Sequence, residues 1–472
     1  MDNFEQSIQS DIHESSIPQE SIRAHSRLSH QTRVVMRLGL MMLAAGGSSY
    51  RVKDSMTVLA RAVGIERLHA HVTYTEISLT AYANHTFRTE VAEQRVMGVN
   101  SQRIDALDYF VSQLPEKDLL VEDADKALDE IEKQGPLYNI PLSSFLSGIA
   151  CAAFAFLNKG GVAECLAVFF AAMLGQFVRR QLMKRHTNHF GTWFVCGVAA
   201  ALVYIGIIGT AQHFDVIGMS HETGVVAALL FLVPGFPLVT AILDLIRQDF
   251  SAGVSRSVYV AMLMLSAATA AWCVTTALDW STTTEIDGYS LSPVVLFFAR
   301  ALASFIAAFG FGTLFNAPLR ACLIAASNGM IINTLRLTAQ DMGFSWLAAV
   351  GCAALLAGLI AQLTSRFVFA SRVSLSVPAV VVMIPGVPFY RAISAINNGN
   401  VGDAVEEIVT IFLVIAAIGA GLAAARMLTD NSWLHDKNVN IPKLGKSDIS
   451  VPPAPIAGWQ PSSAVKKAIR QN

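Results

Sequence analysis

The sequence predicts an all-α polytopic membrane protein with ten transmembrane helices, built as two inverted five-helix repeats, and a small cytoplasmic α+β domain at the N terminus. The first reason is composition: 53% of the residues are hydrophobic, only 15% are charged, and the mean hydropathy is +0.48, as in membrane proteins. The second reason is an internal duplication. The helix-breaking sequence Val233-Pro-Gly-Phe-Pro-Leu238 lies within one long apolar run, and a second copy, Ile384-Pro-Gly-Val-Pro-Phe389, lies within another.

A polar stretch precedes the apolar runs. Residues 1–30 are rich in Ser, Gln, Glu and His and lack the apolar segment of a signal peptide, so we expect a disordered cytoplasmic tail. Within the α+β domain at 31–135, a helical pattern ends at Gly46-Gly47, and Ser48-Ser49 can cap a second helix. The remaining expected elements are a strand at 71–80, its partner at 87–97, and amphipathic helices at 101–114 and 117–133.

The composition becomes apolar after Gly135-Pro136. Each apolar run approaches the roughly 20 residues that a helix needs to cross about 30 Å of hydrocarbon. The ten expected spans are 141–158, 160–178, 190–210, 223–247, 254–277, 292–315, 320–336, 346–364, 374–398 and 404–427. They form a first repeat over 136–285 and a second over 286–429, and a flexible cytoplasmic tail follows over 430–472.

The charges between the spans predict the orientation. Basic residues collect on one side, and the positive-inside rule makes that side cytoplasmic, so both termini are expected in the cytoplasm. Arg336 is the exception to this rule. The two Pro-Gly copies are separated by five spans, an odd number, so the two halves are expected to be inverted relative to each other.

The two Pro-Gly sequences are the candidate binding site. Proline lacks an amide N–H and clashes with the carbonyl four residues back, so two prolines around a glycine should open a helix for about a turn. Paired interruptions in two halves point to a transporter's midplane site; the alternative is a pair of kinks between packing helices. The candidate substrate-binding residues here are Pro234, Gly235, Pro237, Pro385, Gly386 and Pro388.

Charged residues inside the spans supply further candidates, because charges are costly there. Arg300 and Arg391 are each able to hold a carboxylate bidentately. The alternative for Arg300 is snorkelling or pairing within the helix bundle, and the alternative for Arg391 is a structural pair with Glu406 or Glu407. Asp244 is the candidate proton carrier, and the alternative is an ion pair with Arg247 or Arg256.

Polar uncharged residues complete the predicted site. Asn316, Asn328 and Asn333 are candidates for hydrogen bonds to a substrate's hydroxyl or ammonium group. The alternative is that these amides hold membrane helices together. Thr240 lies one turn after the first break, where its hydroxyl either meets substrate or satisfies a carbonyl freed by proline.

Other classes of function find no support in the sequence. The six cysteines lack CxxC spacing, and we expect no disulfide framework, metal site or cofactor. A Gly-x-Ser-x-Gly elbow and a His-Glu-x-x-His motif are both missing, so the sequence does not indicate an enzyme. The net charge of −1 gives no indication of nucleic-acid binding.

Four motifs resemble the threonine/serine exporter family, and the resemblance runs from about Gln31 to about Leu428. It implies inner-membrane exporters driven by the proton motive force, with ten spans and a cytoplasmic N-terminal region. In some bacteria similar halves occur as two proteins associated with succinate export. The family assigns no substrate contacts residue by residue. The motifs are Arg37–Arg51, Leu232–Leu238, Phe311–Arg320 and Ile384–Arg391.

We therefore expect a multi-pass inner-membrane secondary exporter of threonine and serine, which works by alternating access at the two breaks and is coupled to protons. Its partners would be the small-molecule substrate, protons and membrane lipids, with a homo-oligomer left open. One alternative is a dicarboxylate exporter, since two intramembrane arginines suit two carboxylates. Another is a membrane-bound sensor with a cytoplasmic output domain.

Overall fold

The structure of the chain is a computed structural model. It describes residues 19–83, 86–95, 97–115, 118–217, 224–280, 291–368 and 370–434. The expected C-terminal tail at 430–472 lies almost entirely outside the described residues.

The N-terminal region combines four helices with a three-stranded antiparallel sheet in the order β1-β2-β3. Helix α1 begins at Gln19, inside the stretch that composition assigned to a disordered tail. The chain then turns at Gly46, whose φ of +94° is left-handed and favours glycine. The elements are α1 (Gln19–Ala44), α2 (Ser49–Ala62), β1 (Arg67–Val72), β2 (Glu76–Ala83), β3 (Thr86–Glu93), α3 (Ser101–Ser112) and α4 (Val121–Lys133).

The prediction of a single strand at 71–80 is wrong, because the chain reverses direction between β1 and β2. Thr73 N donates to the carbonyl of Glu76 at 2.9 Å, and the Thr73 hydroxyl oxygen accepts from Glu76 N at 3.0 Å. A threonine hydroxyl that bonds backbone a few residues on is a turn former. The alternating pattern therefore belongs to β2, whose burial alternates along Glu76–Ala83.

The N-terminal region has its own hydrophobic core. Leu38 and Met42 of α1, Val52 of α2 and Ile77 of β2 are fully buried within it. Helices α1 and α2 approach closely at Gly39, where an added Cβ would lie 2.6 Å from the Met56 sulfur. One face of the sheet is thus covered by α1.

The rest of the described chain is helical. Seven of its helices are long and apolar enough to cross a membrane, judged by length and composition: Ile140–Leu157, Val162–Lys184, His189–His213, Phe250–Ala277, Pro293–Leu314, Trp346–Ser365 and Val401–Thr429. The elements are α5 (Ile140–Leu157), α6 (Val162–Lys184), α7 (His189–His213), α8 (Gly224–Ala228), a 3-10 turn (Leu230–Leu232), α9 (Gly235–Ile246), α10 (Phe250–Ala277), α11 (Pro293–Leu314), α12 (Leu319–Asp341), α13 (Trp346–Ser365), α14 (Arg372–Val381), α15 (Gly386–Asn397), α16 (Val401–Thr429) and α17 (Asn431–Leu434).

The three other expected spans have identifiable reasons for falling outside these seven. Two of them are interrupted at the Pro-Gly sequences, which leave the short apolar helices α9 and α14. The third is α12, which has 23 residues but carries buried Asn328 and Asn333.

The two interruptions meet in the core. A Cβ added to Gly235, the first residue of α9, would lie 2.6 Å from Val381 Cγ2 and 3.3 Å from Ile384 Cδ1. Val381 ends α14, and Ile384 directly precedes the second Pro-Gly pair. The start of α9 therefore packs against the chain just before the second break, with no room for a side chain.

Candidate functional site

The first break frees backbone carbonyls, and two side chains satisfy them. Arg179 Nη1 of α6 donates to the carbonyl of Phe231 at 2.9 Å. Trp193 Nε1 of α7 donates to the carbonyl of Leu232 at 2.6 Å. An unpaired carbonyl buried among apolar groups would be costly. These two bonds therefore stabilise the 3-10 turn that precedes Pro234.

Thr240 satisfies carbonyls on the other side of the break. Its Oγ1 lies 3.1 Å from the carbonyl oxygens of both Phe236 and Pro237. The same oxygen accepts a 2.5 Å bond from Arg256 Nη1. Thr240 thus links the first turn of α9 to α10.

A cavity of about 230 Å³ lies beside the first break. Pro234 and Pro237 line it, together with Arg179 and Arg180 of α6. Of the residues predicted from the sequence, only these two prolines are among the described residues that line this cavity. Its remaining lining comes from Tyr74, Met97, Gly98, Val99, Met183, Trp193, Phe231, Val233, Tyr259, Leu263, Phe311, Leu314 and Phe315.

Arg179 and Arg180 lack a carboxylate partner among the described residues. Beyond its bond to the Phe231 carbonyl, Arg179 lies over the rings of Trp193 and Phe231, 5.4 and 5.8 Å from their centroids. Arg180 Nη2 donates to the carbonyl of Tyr138 at 3.2 Å, and its buried Nε has no partner in the described part of the chain. Each guanidinium has five N–H donors, so both retain donors for an anion in the cavity.

A buried ion pair lies at the far end of α9. Asp244 Oδ2 and Arg256 Nη2 are 3.6 Å apart, and each side chain is 1% exposed. Asp244 Oδ1 accepts a bond from Ser49 N at 3.0 Å, and Arg256 Nη2 donates to the carbonyl of Gly47 at 2.8 Å. The turn between α1 and α2 is thereby fixed to α9 and α10.

A series of aromatic and polar contacts extends from Arg256 of this ion pair. Arg256 lies over the Tyr74 ring at 5.2 Å, and the Tyr74 and Tyr259 rings are 5.0 Å apart. The Tyr259 hydroxyl is 2.6 Å from His189 Nδ1. Tyr74 and Tyr259 also line the cavity beside the first break, so this series of contacts connects the cavity with Asp244.

Asp244 also borders a second, larger cavity of about 570 Å³. This space lies between the N-terminal helices α2 and α3 and the ends of α14 and α16. Charged side chains of both signs line it: Arg51, Asp54, Asp108, Arg372, Arg426 and Asp430. Burial raises the pKa of Asp54 and of Asp108 above the ordinary value.

A second junction joins the N-terminal region to the other broken segment. Asp105 Oδ1 of α3 accepts from Ser371 N at 2.8 Å and from Ser374 Oγ at 3.0 Å. Ser371 is the N-cap of α14. Burial raises the pKa of Asp105 to about 6, although the bonds from Ser371 and Ser374 oppose that rise.

The arginines predicted to bind substrate already face carboxylates. Arg300 pairs with Asp341 at the end of α12. Arg391 lies 3.6 Å from Glu407, which was its structural alternative. Asp244 likewise takes one of its alternative partners, Arg256, while Arg247 stacks 4.1 Å over the Tyr50 ring.

The three predicted asparagines are all engaged. Asn316 donates to Asn100 Oδ1 at 2.8 Å and accepts from Leu137 N at 2.8 Å. Asn328 donates to the carbonyl of Ala357 at 3.0 Å. Asn333 donates to Ser304 Oγ at 2.8 Å. Pro385, Gly386 and Pro388 stand at the second break, where a Cβ on Gly386 would lie 2.9 Å from Phe154.

Arg179 and Arg180 were not among the candidate residues, because the expected span ended at 178 and left both among the basic residues between spans. Both lie inside α6, which continues to Lys184. The available signal was the extension of helical sequence beyond the expected end of the span at 178. The approach of Arg179 to Phe231, 52 residues along the chain, left no trace in local sequence.

Comparisons with known proteins agree with a transporter. Residues 33–278 match the family described as "Putative threonine/serine exporter", and residues 300–428 match "Threonine/Serine exporter, ThrE". No solved structure matches the chain significantly.

Two relatives illustrate the similarity. The "Probable succinate transporter subunit YjjP" of Escherichia coli (strain K12) is 27% identical over 237 residues, covering 50% of this chain and 90% of that protein. A "Threonine/serine exporter" of Corynebacterium glutamicum is 25% identical over 231 residues, covering 47% of this chain and 45% of that protein. Since the first family match alone spans more than half of the sequence, the chain belongs to the threonine/serine exporter family.

Proposed function

We propose that this chain is an inner-membrane secondary active exporter of small amino acids, threonine and serine first, driven by the proton motive force. The observation that carries the proposal is the cavity beside the first Pro-Gly break, which presents two arginines without described carboxylate partners. An uncompensated guanidinium away from water is costly. A substrate carboxylate would compensate that charge.

Arg179 is the proposed ligand of the carboxylate, in place of Arg300 and Arg391, which already face Asp341 and Glu407. A guanidinium can hold a carboxylate by two parallel N–H···O bonds. Tyr74 and Tyr259 line the same cavity. The Tyr259 hydroxyl lies 2.6 Å from His189 Nδ1, and a hydroxyl oxygen has a second lone pair that can accept from the amino acid's ammonium group.

The helix boundaries support two inverted repeats and ten spans. One constant offset along the chain relates α5, α6 and α7 to α11, α12 and α13, because it matches Leu157 with Leu314, Val162 with Leu319 and His189 with Trp346. A slightly smaller constant offset relates the first residues of α9 and α10 to those of α15 and α16. Five spans per repeat give the repeats opposite orientations, with both termini in the cytoplasm.

The contact between the two breaks supports alternating access as the proposed mechanism. The start of α9 packs on Val381 and Ile384 through apolar surfaces, and the described residues place no hydrogen bond between them. Such a surface lets one repeat rock against the other, which exposes the cavity first to one side of the membrane and then to the other.

Asp244 is the proposed proton carrier. It borders the larger cavity, which provides a route for protons, and it is held against Arg256. Protonation would cancel the charge that attracts Arg256, and so would weaken the attachment of the α1–α2 turn to α9.

A dicarboxylate exporter is the second candidate, because Arg179 and Arg180 both line one cavity. A dianion suits two cations better than a zwitterion does. The similarity to a protein named as a probable succinate transporter subunit favours the same interpretation.

The test is counterflow in proteoliposomes loaded with unlabelled threonine or succinate, with the labelled compound outside. We expect accumulation of threonine that serine blocks and succinate does not. Arg179→Gln should reduce the initial rate at least about tenfold, as loss of a charged hydrogen bond implies, whereas Lys184→Gln, an exposed cation of the same helix, should change it less than about twofold.

Accumulation of succinate alone would establish the second candidate, with Arg180→Gln then as damaging as Arg179→Gln. Accumulation of neither compound would refute both candidates. Equal rates for Arg179→Gln and Lys184→Gln would remove Arg179 from the site.

A further inference from the structure

Helices α6 and α12 are matched members of the two repeats, and each has 23 residues. When the two helices are aligned from their first residues, Val162 and Leu319, without a gap, Arg179 falls on Arg336. The one cation that breaks the positive-inside pattern of the sequence therefore occupies the same helical position as the arginine that lines the cavity at the first break.

The surroundings of the two arginines also correspond. Three residues before each arginine is a buried amide: Gln176 donates to Ser143 Oγ at 3.2 Å, and Asn333 donates to Ser304 Oγ at 2.8 Å. The serines lie on α5 and α11, which are also matched helices.

Helices α6 and α12, which carry the two arginines, each pack against the segment that precedes one of the two Pro-Gly breaks. Helix α6 reaches the 3-10 turn through the bond from Arg179 to Phe231. Helix α12 reaches α14 at Gly329, where an added Cβ would lie 3.3 Å from Ala379 Cα. Arg336 therefore lies on the helix that packs against the second broken segment, as Arg179 does for the first.

The charge around Arg336 is not balanced by the described residues. Its Nε donates to Asn333 Oδ1 at 2.9 Å, and no described carboxylate pairs with it. The carboxylate of Asp341, five residues further along α12, is already paired with Arg300. Asp341 is therefore occupied by Arg300, and a cation within a membrane span usually serves a ligand or a partner.

We infer that Arg336 is the carboxylate-binding site of the outward-facing state. The inference rests on the proposed function. Inversion of the repeats places Arg179 toward the cytoplasm and Arg336 toward the outside, so the substrate's carboxylate passes from one arginine to its repeat-related counterpart as the two halves rock. The ligand class is a small carboxylate, whether of an amino acid or of a dicarboxylic acid.

The test measures half-saturating concentrations separately from each face of the full chain, reconstituted in one orientation. Labelled threonine and labelled succinate are the probes. Arg336→Gln should raise the value measured from the outer face at least about tenfold and change the cytoplasmic value less than about twofold. Arg179→Gln should do the reverse. Arg320→Gln, an exposed cation of α12, is the matched control and should change neither value.

A structural role for Arg336 gives a different result. Arg336→Gln would then affect both faces equally, and Asn333→Leu, which removes the bond to Arg336, would reproduce it; that outcome overturns the inference. If Arg336→Gln fails to fold, Arg336→Lys keeps the charge without the bidentate fork. An outer-face value for Arg336→Lys equal to that of the wild type would also overturn it.

Different experimental results would refute this inference and the proposed function. A wild-type chain that transports neither compound refutes the function. A wild-type chain that transports, together with an Arg336→Gln variant whose outer-face value is unchanged, refutes this site alone.

Discussion

Asp244 and Arg256 form an ion pair at 3.6 Å in which each side chain is 1% exposed. The pair is not isolated, because Asp244 accepts from Ser49 N and Arg256 donates to the carbonyl of Gly47. The helix that follows the first break is therefore attached to the N-terminal region through charge. A change in the charge of Asp244 should therefore alter the contacts of α9 and those of the α1–α2 turn.

Asp244→Asn should abolish proton-coupled efflux and leave exchange of substrate for substrate intact. Asparagine keeps an oxygen for the amide of Ser49 but cannot carry a proton to and from a charged form. The measurement compares efflux driven by an imposed pH gradient with counterflow at equal pH.

Asp215→Asn, at an exposed aspartate, is the matched control. Retention of full pH-driven efflux by Asp244→Asn would exclude Asp244 from coupling. Equal loss of efflux and exchange would instead assign the pair to structure, since breaking a buried pair costs about 3–5 kcal/mol.

Gly235→Ala should slow transport and lower the thermal stability of the chain. The added methyl would lie 2.6 Å from Val381 Cγ2, so the two broken segments must separate, at a cost of about 1–3 kcal/mol. Gly206→Ala is the control, because its Cβ would meet no described atom within 4 Å. Thermal unfolding in detergent and counterflow would both be measured; equal behaviour of the two variants would contradict the close packing of the breaks.

Trp193→Phe should destabilise the first break by about 1–3 kcal/mol, because the Leu232 carbonyl loses its donor while the aromatic ring is retained. Trp272→Phe changes a tryptophan that is 44% exposed and serves as the comparison. The readout is the free energy of unfolding. A Trp193→Phe variant as stable as Trp272→Phe would show that the carbonyl finds another partner.

The junction at Asp105 should weaken as pH rises. The pKa of Asp105 in the folded chain is about 6, above the ordinary 3.8, because burial disfavours the charged form. Its contribution to stability is therefore fully present below about pH 4 and is lost as pH rises through about 6. The two limits differ by about 3 kcal/mol.

Hydrogen exchange of α3 and α14 between pH 4 and pH 8, corrected for the intrinsic exchange rate, would measure this effect. Asp105→Asn should flatten the pH dependence, and Asp118→Asn, at an exposed aspartate, should leave it unchanged. Protection that increases with pH in the wild type would contradict the sign.

Local sequence predicted what depends on local physics. The Pro-Gly sequences mark the places where the helices are interrupted, since proline removes a donor wherever it stands. The Gly46-Gly47 turn between α1 and α2 was also predictable, because glycine tolerates the left-handed φ. The turn at Thr73 was missed, since alternation over 71–80 looked the same as one unbroken strand.

Contacts between distant parts of the chain were not predictable. Ser49 and Asp244 are 195 residues apart in sequence, and Asp105 and Ser371 are 266 apart. The sequence offered Arg247 and Arg256 equally as partners of Asp244, and only packing places Arg256 there. Packing likewise gives Arg300 and Arg391 carboxylate partners while leaving Arg179 with none among the described residues.

The fit of Gly235 against Val381 has a consequence for how such a chain can be encoded. In the proposed two-repeat arrangement, the segments that meet there belong to different repeats, and so do Gly310 and Ala150, where a Cβ added to Gly310 would lie 2.5 Å from the Ala150 methyl. Close packing between helices would therefore hold the two proposed repeats together. A gene divided between the codons for Trp280 and Leu291 should therefore yield two polypeptides that associate in the bilayer and restore the complete assembly.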